Sequence, residues 1–438
     1  MVPALVDAAA VGLAPSLSGA MFNKLKPGPG HDAAEVADHQ RARIDRAMVA
    51  LSAERGYRAV TVRELSRLAG VSSRAFYEQY AGKEACMLHC HFALVRRFLR
   101  ELATADAAVD RPGDLVRVFM RALGRDPRVA RLLLVGPQCE GEAALEQERC
   151  ANQLIAAQLG DGLQRCTGVS ELPRPLVDGV VAGLTGVAIR RVLAGRTDEL
   201  LSAELGDRLS EWVSSVASDQ SSLSQSSSSK AEGELEERAP SGDLALLLSA
   251  TAKLAVKHGY SGLSVRRILS AAGLPRRRFS AHFTDVDDCF AMAVEGRMKE
   301  ALERSRRLGE NASSPRWGVR RSVAALSLEI HRDPVLTGFC RDWMGAPQAV
   351  ALRVAERLTD CMGDLLRDLS SIQVDPPNEV AIEAAAWGTW DALGRELRGT
   401  QLTDLAPLVS CQLLLARSGQ IEEPTLSLAD GTASARAI

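Results

Sequence analysis

The sequence predicts an all-α protein made of two tandem units that each contain a helix-turn-helix. Ala, Leu, Val and Arg dominate a chain in which only 4% of the residues are aromatic, a composition that favours helices over sheets. At 438 residues the chain is long enough for two ordinary domains. The pattern of residues 56–86 returns without a gap at residues 259–289, and a period this long indicates duplicated domains.

The first element that the sequence predicts in each unit is an amphipathic helix. Residues 1–38 are rich in Ala, Gly and Pro and show no sustained apolar period, so we expect a disordered tail there. Apolar residues then recur with a 3.6-residue period up to Gly56, and again up to Gly259 in the second unit. Each pattern predicts a helix that ends at a C-cap glycine.

A short second helix follows in the first unit. Thr61 is a preferred N-cap residue and Glu64 stands three positions later, which together form a T-x-x-E capping box. The apolar residues of this helix, Val62, Leu65 and Leu68, are expected to face inward.

A third helix follows a tight turn at Gly70. Ser72 is placed as its N-cap, and Phe76 is expected to be buried. Ser73, Arg74 and Tyr77 are then expected to point outward. A short helix with such an outer face fits the major groove of DNA, where Arg pairs with guanine and hydroxyl groups pair with phosphate oxygens.

The charge distribution also favours contact with phosphates. Residues 41–83 hold nine basic and four acidic side chains, and residues 243–286 hold seven basic and two acidic ones, so each segment carries a net charge of +5. The whole chain has a net charge of only −2. Two basic modules on an acidic body are typical of a protein that places one face on nucleic acid.

The stretch TVRELSRLAGVSSRAFYEQYAGKEA, at residues 61–85, with the preceding helix and its Gly-Tyr, resembles the DNA-binding domain of the TetR/AcrR family of bacterial regulators. The resemblance is close over residues 41–90 and looser over 243–293. It implies a three-helix head that binds double-stranded DNA, a helical body that binds a small-molecule inducer, and pairing through the last two helices of each body. Repression is a further expectation from the resemblance.

The resemblance and the repeat together give the domain organisation. We expect a tail at 1–38, a first helix-turn-helix domain at 39–92, a first body at 93–217, a Ser-rich linker at 218–242, a divergent second helix-turn-helix domain at 243–293, a second body at 294–417 and a tail at 418–438. The pairing helices are expected at 175–193 and 198–216, and at 378–397 and 403–416.

Two fused units of a family that normally pairs two chains predict an intrachain pseudo-dimer. Gly179, Gly183 and Gly186 would let the first unit's penultimate helix approach its partner closely. Whether the fused chains pair further stays open.

The two heads carry different candidate DNA contacts. In the first head they are Thr61, Arg63, Ser72, Ser73, Arg74, Tyr77, Tyr80 and Lys83. In the second head they are Ser264, Arg276, Arg277, Arg278 and His282. Pro275 and Val286 stand where the first head has Ser72 and Lys83, and Asp285, Asp287 and Asp288 would repel a phosphate. We therefore expect an asymmetric operator that is read mainly by the first head.

Two further groups of residues allow alternative interpretations. Cys86, His89, Cys90 and His91 could place three metal ligands on one helix face. The second unit keeps only Cys289, so we favour a small buried cysteine and expect neither metal nor cofactor. Trp317, Trp343 and Trp387 could line an apolar inducer pocket, or they could pack in the core or at an interface.

Other features limit the classes of function. Nine cysteines without a C-x-x-C pair suggest a reducing cytoplasm, and we expect no membrane span. The motifs of common hydrolases, nucleotide-binding enzymes and zinc proteases are missing, so we do not expect an enzyme. The alternative function is a ligand- or protein-binding helical module whose second helix-turn-helix has lost contact with DNA.

Overall fold

The structure of the protein is a computed structural model. It describes residues 33–106, 109–134, 142–167, 172–218, 242–310, 315–342, 348–370 and 377–398, and the single residues Ala406, Val409, Ser410, Leu413 and Leu414. Every regular element in these ranges is a helix, so the all-α prediction is confirmed. The N-terminal tail up to residue 32, nearly all of the predicted linker, and the C-terminal tail lie outside the described residues.

The two units repeat one order of helices. The head of the first unit consists of α1 (Ala33–Arg55), α2 (Val62–Ala69) and α3 (Ser73–Gln79). Its body consists of α4 (Lys83–Asp106), α5 (Pro112–Gly124), α6 (Pro127–Leu134), α7 (Glu142–Thr167), α8 (Arg174–Leu193) and α9 (Ala203–Ser218).

The second unit has the same sequence of elements up to α17, the counterpart of α8. Its head consists of α10 (Asp243–His258), α11 (Val265–Ala272) and α12 (Arg276–Ser280). Its body consists of α13 (Val286–Glu310), α14 (Pro315–Arg332), α15 (Pro334–Asp342), α16 (Gln348–Ser370) and α17 (Glu379–Arg398). The five single residues are helical and buried, and they lie within the last predicted helix.

Three boundaries or orientations differ from the sequence prediction. Helix α1 begins at Ala33, inside the predicted tail, because Val36 is buried and extends the apolar face of the helix. Helix α9 begins at Ala203 instead of residue 198, because Ser202 accepts a hydrogen bond from the backbone N–H of Leu205 and so ends a preceding 3-10 turn. Leu68 is exposed, while Leu65 and Ala69 fill the inner face of α2.

Each head has a small core of its own. In the first head, side chains from α1, α2, α3 and α4 meet, among them Met48, Leu65, Phe76 and Met87, all fully buried. The second head has a smaller equivalent, centred on Phe279. The two bodies share one continuous hydrophobic core. The units therefore form an intrachain pseudo-dimer, as the fused sequence predicts.

Helices α8 and α17 pack against each other with small residues at the crossing. A Cβ atom added at Gly183 would lie 2.7 Å from the carbonyl oxygen of Ala384. The counterpart of Gly183 in α17 is Gly388, where an added Cβ would lie 2.6 Å from the carbonyl oxygen of Gly179. The contact is thus made twice, as a two-fold interface requires. The predicted role of the glycines in close approach is confirmed.

Ion pairs repeat this pseudo-symmetry. The guanidinium of Arg190 lies 3.9 Å from Glu383, and Arg395, its counterpart in α17, pairs with Asp178, the counterpart of Glu383. Arg191 also pairs with Glu383, and both of these side chains are largely buried. Outside these helices, the indole N–H of Trp212 in α9 donates to the carbonyl of Leu413 at 2.7 Å. The interface therefore combines close packing with charge-assisted and neutral hydrogen bonds.

Candidate DNA-binding surface

The start of α2 is fixed by the predicted capping box. The backbone N–H of Glu64 donates to Thr61 Oγ1 at 3.3 Å, and the Thr61 N–H donates to the Glu64 carboxylate at 3.1 Å. Arg55 also donates to this carboxylate. The hydrogen bonds from Thr61 and Arg55 hold the pKa of Glu64 below its usual value. Both predicted members of the box are confirmed, and Thr61 and Arg63 lie exposed at this helix end.

The turn between α2 and α3 is fixed in the same local way. Gly70 adopts a φ of 64°, in the left-handed region that favours glycine. Its carbonyl accepts a hydrogen bond from Arg43 of α1 at 3.0 Å. Ser72 Oγ then accepts from the Ala75 N–H at 3.0 Å and caps α3. These contacts set the direction in which α3 leaves the head.

The outer face of α3 presents the predicted side chains to solvent. Phe76 is fully buried, whereas Ser72, Ser73, Arg74 and Tyr77 are exposed. Arg74 makes a 3.0 Å ion pair with Glu78, but its side chain remains 90% exposed. An exposed pair of this kind contributes about 0 to 1 kcal/mol, so the guanidinium can exchange Glu78 for a phosphate or a base.

Two predicted contacts of the first head need revision or refinement. Tyr80 is buried and its hydroxyl donates to Asp45, so the prediction that Tyr80 faces DNA is wrong. The reason is that α3 ends one residue before Tyr80, and the extended backbone there turns the ring into the core. Lys83 is half-buried, donates to the Tyr57 carbonyl at 3.2 Å and lies over the Tyr57 ring. It is the first residue of α4.

The second head has the same turn with a shorter outer helix. Ser264 Oγ accepts from the Arg267 N–H at 3.3 Å, and Gly273 has a φ of 68°. Helix α12 spans only five residues, and Pro275 provides no side-chain cap. The three arginines and His282 are exposed, and Arg278 pairs with Asp243 at 3.1 Å. This head therefore presents a more basic but shorter surface than α3.

The acidic residues that follow α12 have structural partners. Asp285 accepts a hydrogen bond from the Asp288 N–H at 2.8 Å and caps α13. The hydroxyl of Tyr260 donates to Asp287. These carboxylates stabilise the positive end of the helix dipole and flank Val286, which stands where the first head has Lys83.

The predicted inducer-binding tryptophans lie in separate environments. Trp317 packs under the guanidinium of Arg320, 5.0 Å from the ring. Trp387 is buried against Gly186 of the first unit. Trp343 lies outside the described residues. Small clefts in the described bodies, such as the one beside Trp212 and the one between α7, α8 and α9, are lined by residues other than these tryptophans. Their role in ligand binding stays a prediction.

The sequence indicated only some members of a buried polar cluster in the first head. Cys86, His89 and Cys90 of α4 were singled out, but Asp45 of α1, which lies among them, was missed. Burial raises the pKa of Asp45, against the opposing hydrogen bond from Tyr80. Hydrogen bonding with Cys86 and burial raise the pKa of Cys90. Comparison of the two repeats could have indicated Asp45, because this acidic residue stands where the second unit has the apolar Leu248.

His91, the fourth residue of that sequence cluster, is separate from it. The side-chain amide of Gln147 donates to His91 Nδ1 at 3.1 Å. Burial lowers the pKa of His91 to about 4. The imidazole is therefore a neutral core residue at physiological pH.

Two capped helix-turn-helix heads on one paired helical body define a tandem helix-turn-helix protein. Residues 45–90 and 247–293 each match the family model described as bacterial regulatory proteins, tetR family. The chain therefore carries the DNA-binding domain of this family twice. Helices that are long and apolar enough to cross a membrane do not occur in the described ranges.

Solved structures of regulators are also similar to parts of the chain. The fatty acid degradation regulator FadR from Bacillus halodurans is 16% identical, over 39% of this chain and 96% of that chain, with a TM-score of 0.35. The transcriptional regulator FadR from Bacillus subtilis, solved in complex with stearoyl-CoA, is 15% identical over 39% and 96% of the two chains, with a TM-score of 0.36.

Proposed function

We propose that this protein is a tetR-family regulator that represses transcription in the cytoplasm by binding one asymmetric operator with both heads of a single chain. The observation that carries the proposal is the exposed face of α3, which presents Arg74 and Tyr77. The Thr61 cap of α2, the left-handed Gly70 and the Ser72 cap of α3 fix the position of this helix. Rigid presentation of this kind allows base edges to be read without a large ordering cost.

The two sets of side chains have different tasks in this proposal. Arg74 reads a base in the major groove, a contact that contributes about 1 to 3 kcal/mol of discrimination. Thr61, Tyr77 and Lys83 contact phosphates and fix the register, without selecting sequence. In the second head, Arg276, Arg277 and Arg278 supply mainly charge.

The asymmetry of the operator follows from the difference between α3 and α12. The heads of two-fold helix-turn-helix proteins enter successive major grooves about 34 to 36 Å apart. Helix α3 spans seven residues and begins at a serine cap, whereas α12 spans five and begins after a proline. We infer two half-sites of different sequence, with the first half-site contributing most of the specificity.

In this proposal, an apolar small molecule enters the body of the first unit and causes the protein to release the operator. The cleft between α7, α8 and α9 has a volume of about 10 Å³, roughly the space of one water molecule, and is lined by aliphatic residues: Leu163, Leu172, Leu176, Val177, Val180, Val213, Val216 and Ala217. Ligand pockets usually have about 300 to 1,000 Å³. An inducer must therefore widen the cleft, which shifts α8 and, through the α8–α17 interface, the separation of the heads.

The second candidate function is a ligand- or protein-binding module in which only the first head contacts DNA. The short α12 and the carboxylates at the start of α13 favour it. The triple variant with Arg276, Arg277 and Arg278 replaced by Ala separates the two functions. Loss of three phosphate contacts makes the negative slope of log affinity against log salt concentration shallower by about 2.7. An unchanged slope favours the second candidate.

The main experiment is selection of bound fragments from genomic DNA with the purified full chain, with stoichiometry determined by mass. We expect one chain per asymmetric site. The Arg74→Ala, Tyr77→Ala double variant should lose the enrichment. Arg208→Ala is a matched control, because Arg208 makes the same type of exposed i,i+4 pair with Glu204 in α9. A palindromic site bound equally by both halves contradicts the proposed asymmetry, and no enriched sequence for the natural chain contradicts the proposed function.

A further inference from the structure

A cluster of side chains with metal-binding chemistry lies between α1 and α4 in the first head. The carboxylate of Asp45 and the thiols of Cys86 and Cys90 bring their ligand atoms within 4.8 Å of one another, and all three residues are buried. His89 lies beside them, with its Nε2 3.6 Å from Asp45 Oδ2. We propose that Asp45, Cys86 and Cys90 bind a Zn(II) ion, with His89 as the fourth ligand.

The spacing of these atoms is close to that of a tetrahedral zinc site. Zinc binds sulfur at about 2.3 Å and nitrogen or oxygen at about 2.0 to 2.2 Å, so its ligand atoms lie about 3.3 to 3.8 Å apart. The separation between His89 and Asp45 already falls in this range. Cys86 and Cys90 lie one turn apart on one face of α4. Two sulfur ligands favour zinc over magnesium or calcium.

One oxygen of the cluster accepts no hydrogen bond from the residues that the structure describes, and His89 Nε2 lies 3.6 Å from it. Asp45 Oδ1 accepts hydrogen bonds from the Tyr80 hydroxyl and from Cys90 Sγ, but the buried Oδ2 has no hydrogen-bond partner. A buried carboxylate oxygen without a donor has lost its hydration and gained no hydrogen bond in return, which is unfavourable. A cation at the open side of Asp45 supplies the missing interaction. Tyr80 then orients the carboxylate from behind, as outer partners of metal ligands do.

The second head provides an internal comparison. Apolar residues stand at the positions equivalent to Asp45, Tyr80, His89 and Cys90, namely Leu248, Phe283, Met292 and Ala293. Only the cysteine at Cys289 is kept, where its sulfur lies 3.1 Å from Thr251 Oγ1. The same three-helix head forms there without the polar cluster. The packing of the head therefore does not require these residues, and they are a specific feature of the first head.

The site has an entry path and a clear structural consequence. The His89 side chain is 40% exposed, so an ion reaches the buried ligands past the imidazole. Binding converts both thiols to thiolates, and their protons pass to solvent. Because the ligands come from α1 and α4, the ion cross-links the first helix of the head to the helix that leads into the body.

The test is Co(II) and Zn(II) titration of the reduced, chelator-treated full chain. Co(II) bound by thiolates in a tetrahedral site gives charge-transfer and d–d absorption, and a competing chromophoric chelator reports the Zn(II) affinity. We expect one thiolate-bound ion per chain. Cys90→Ala should weaken Zn(II) binding by more than about 100-fold, and Tyr80→Phe by about 10- to 100-fold, since loss of an outer partner alone has that effect.

Both substitutions introduce the residue that the second head carries, so folding is expected and is checked by circular dichroism. Cys289→Ala is the matched control and should leave the Co(II) spectrum unchanged. The proposal is overturned if the natural chain shows no thiolate–Co(II) absorption, or if the absorption persists in both Cys90→Ala and Asp45→Asn. None of these measurements depends on DNA, so the result is independent of operator binding.

Discussion

The intrachain interface leads to a sharp prediction at Gly186 of α8. A Cβ atom added there would lie 2.2 Å from Cγ and 2.4 Å from Cδ2 of the Trp387 indole, whereas ordinary contact begins near 3.4 Å. Trp387 is only 8% exposed, so the ring has little free space into which it can move. Gly186→Ala must therefore push α8 and α17 apart or force the indole from its rotamer.

The magnitude follows from two opposing effects. Replacing glycine by alanine inside a helix stabilises it by about 1 kcal/mol. Overpacking a filled core costs about 1 to 3 kcal/mol, and the overlap at Gly186 exceeds 1 Å, which places the cost at the upper end. We expect a net loss of about 2 kcal/mol. Gly296→Ala in α13 is the matched control, because nothing lies within 4 Å of its added Cβ and only the helix gain of about 1 kcal/mol remains.

The assay measures association of the two units after cleavage of the chain. A protease site inserted between residues 219 and 241 allows the folded chain to be cut, and the dissociation constant of the halves is then measured. A loss of about 2 kcal/mol raises this constant by roughly 30-fold in Gly186→Ala. The control should leave it unchanged, because Gly296 lies in α13 and not in α8 or α17.

A double-mutant cycle identifies the contact itself. Trp387→Leu removes the indole, so adding Gly186→Ala to this variant should cost much less than adding it to the natural chain, with a coupling of about 1 to 3 kcal/mol. Additive effects, or a dissociation constant for Gly186→Ala equal to that of the control, would refute the packing of α8 on α17 described above.

Three further predictions concern single contacts. Glu383→Ala removes the nearest carboxylate from the largely buried Arg191, which keeps Glu199 at 3.9 Å, so the free energy of unfolding in urea should fall by about 1 to 3 kcal/mol. The exposed-pair variant Glu204→Ala should change it by less than about 1 kcal/mol. Ser72→Ala removes the cap of α3 and should destabilise the first head by about 1 kcal/mol in hydrogen-exchange measurements, with no change in the second head. Trp212→Phe removes the indole N–H donor to Leu413 and should cost about 1 to 2 kcal/mol in the same association assay, so an unchanged dissociation constant would contradict that hydrogen bond.

Local chemistry explains which parts of the head could be predicted from the sequence. The capping box at Thr61, the glycine turn at Gly70 and the cap at Ser72 involve residues at most three positions apart, so composition and spacing determine them. The orientation of Tyr80 was misjudged for a related reason. Helix α3 ends at Gln79, and the extended backbone of the next residue turns the Tyr80 ring into the core.

Non-local contacts explain what the sequence did not show. Asp45 meets Cys90 only because α1 packs on α4, and 45 residues separate the two. For Trp387 a ligand pocket, core packing and an interface were all left open, and only the approach of α17 to Gly186 places it at the interface. Leu68 appeared apolar and periodic, but it is 37% exposed, because none of the described elements covers that side of α2. Each of these outcomes depends on how helices assemble, which a period within one helix does not encode.

The fusion of two units has a physical consequence for how the heads diverge. In a dimer of identical chains, every substitution in a head appears in both half-sites, so a shortened recognition helix would weaken both at once. In this chain the interface keeps its paired contacts, such as Arg190 with Glu383 and Arg395 with Asp178, while the heads differ. The interface is not fully symmetric, because Trp387 stands in α17 where α8 has Ala182. Because the two units are covalently linked, neither has to pair with an identical copy of itself. Helix α12 and the Asp45 cluster can therefore differ from their counterparts in the other head and serve different functions.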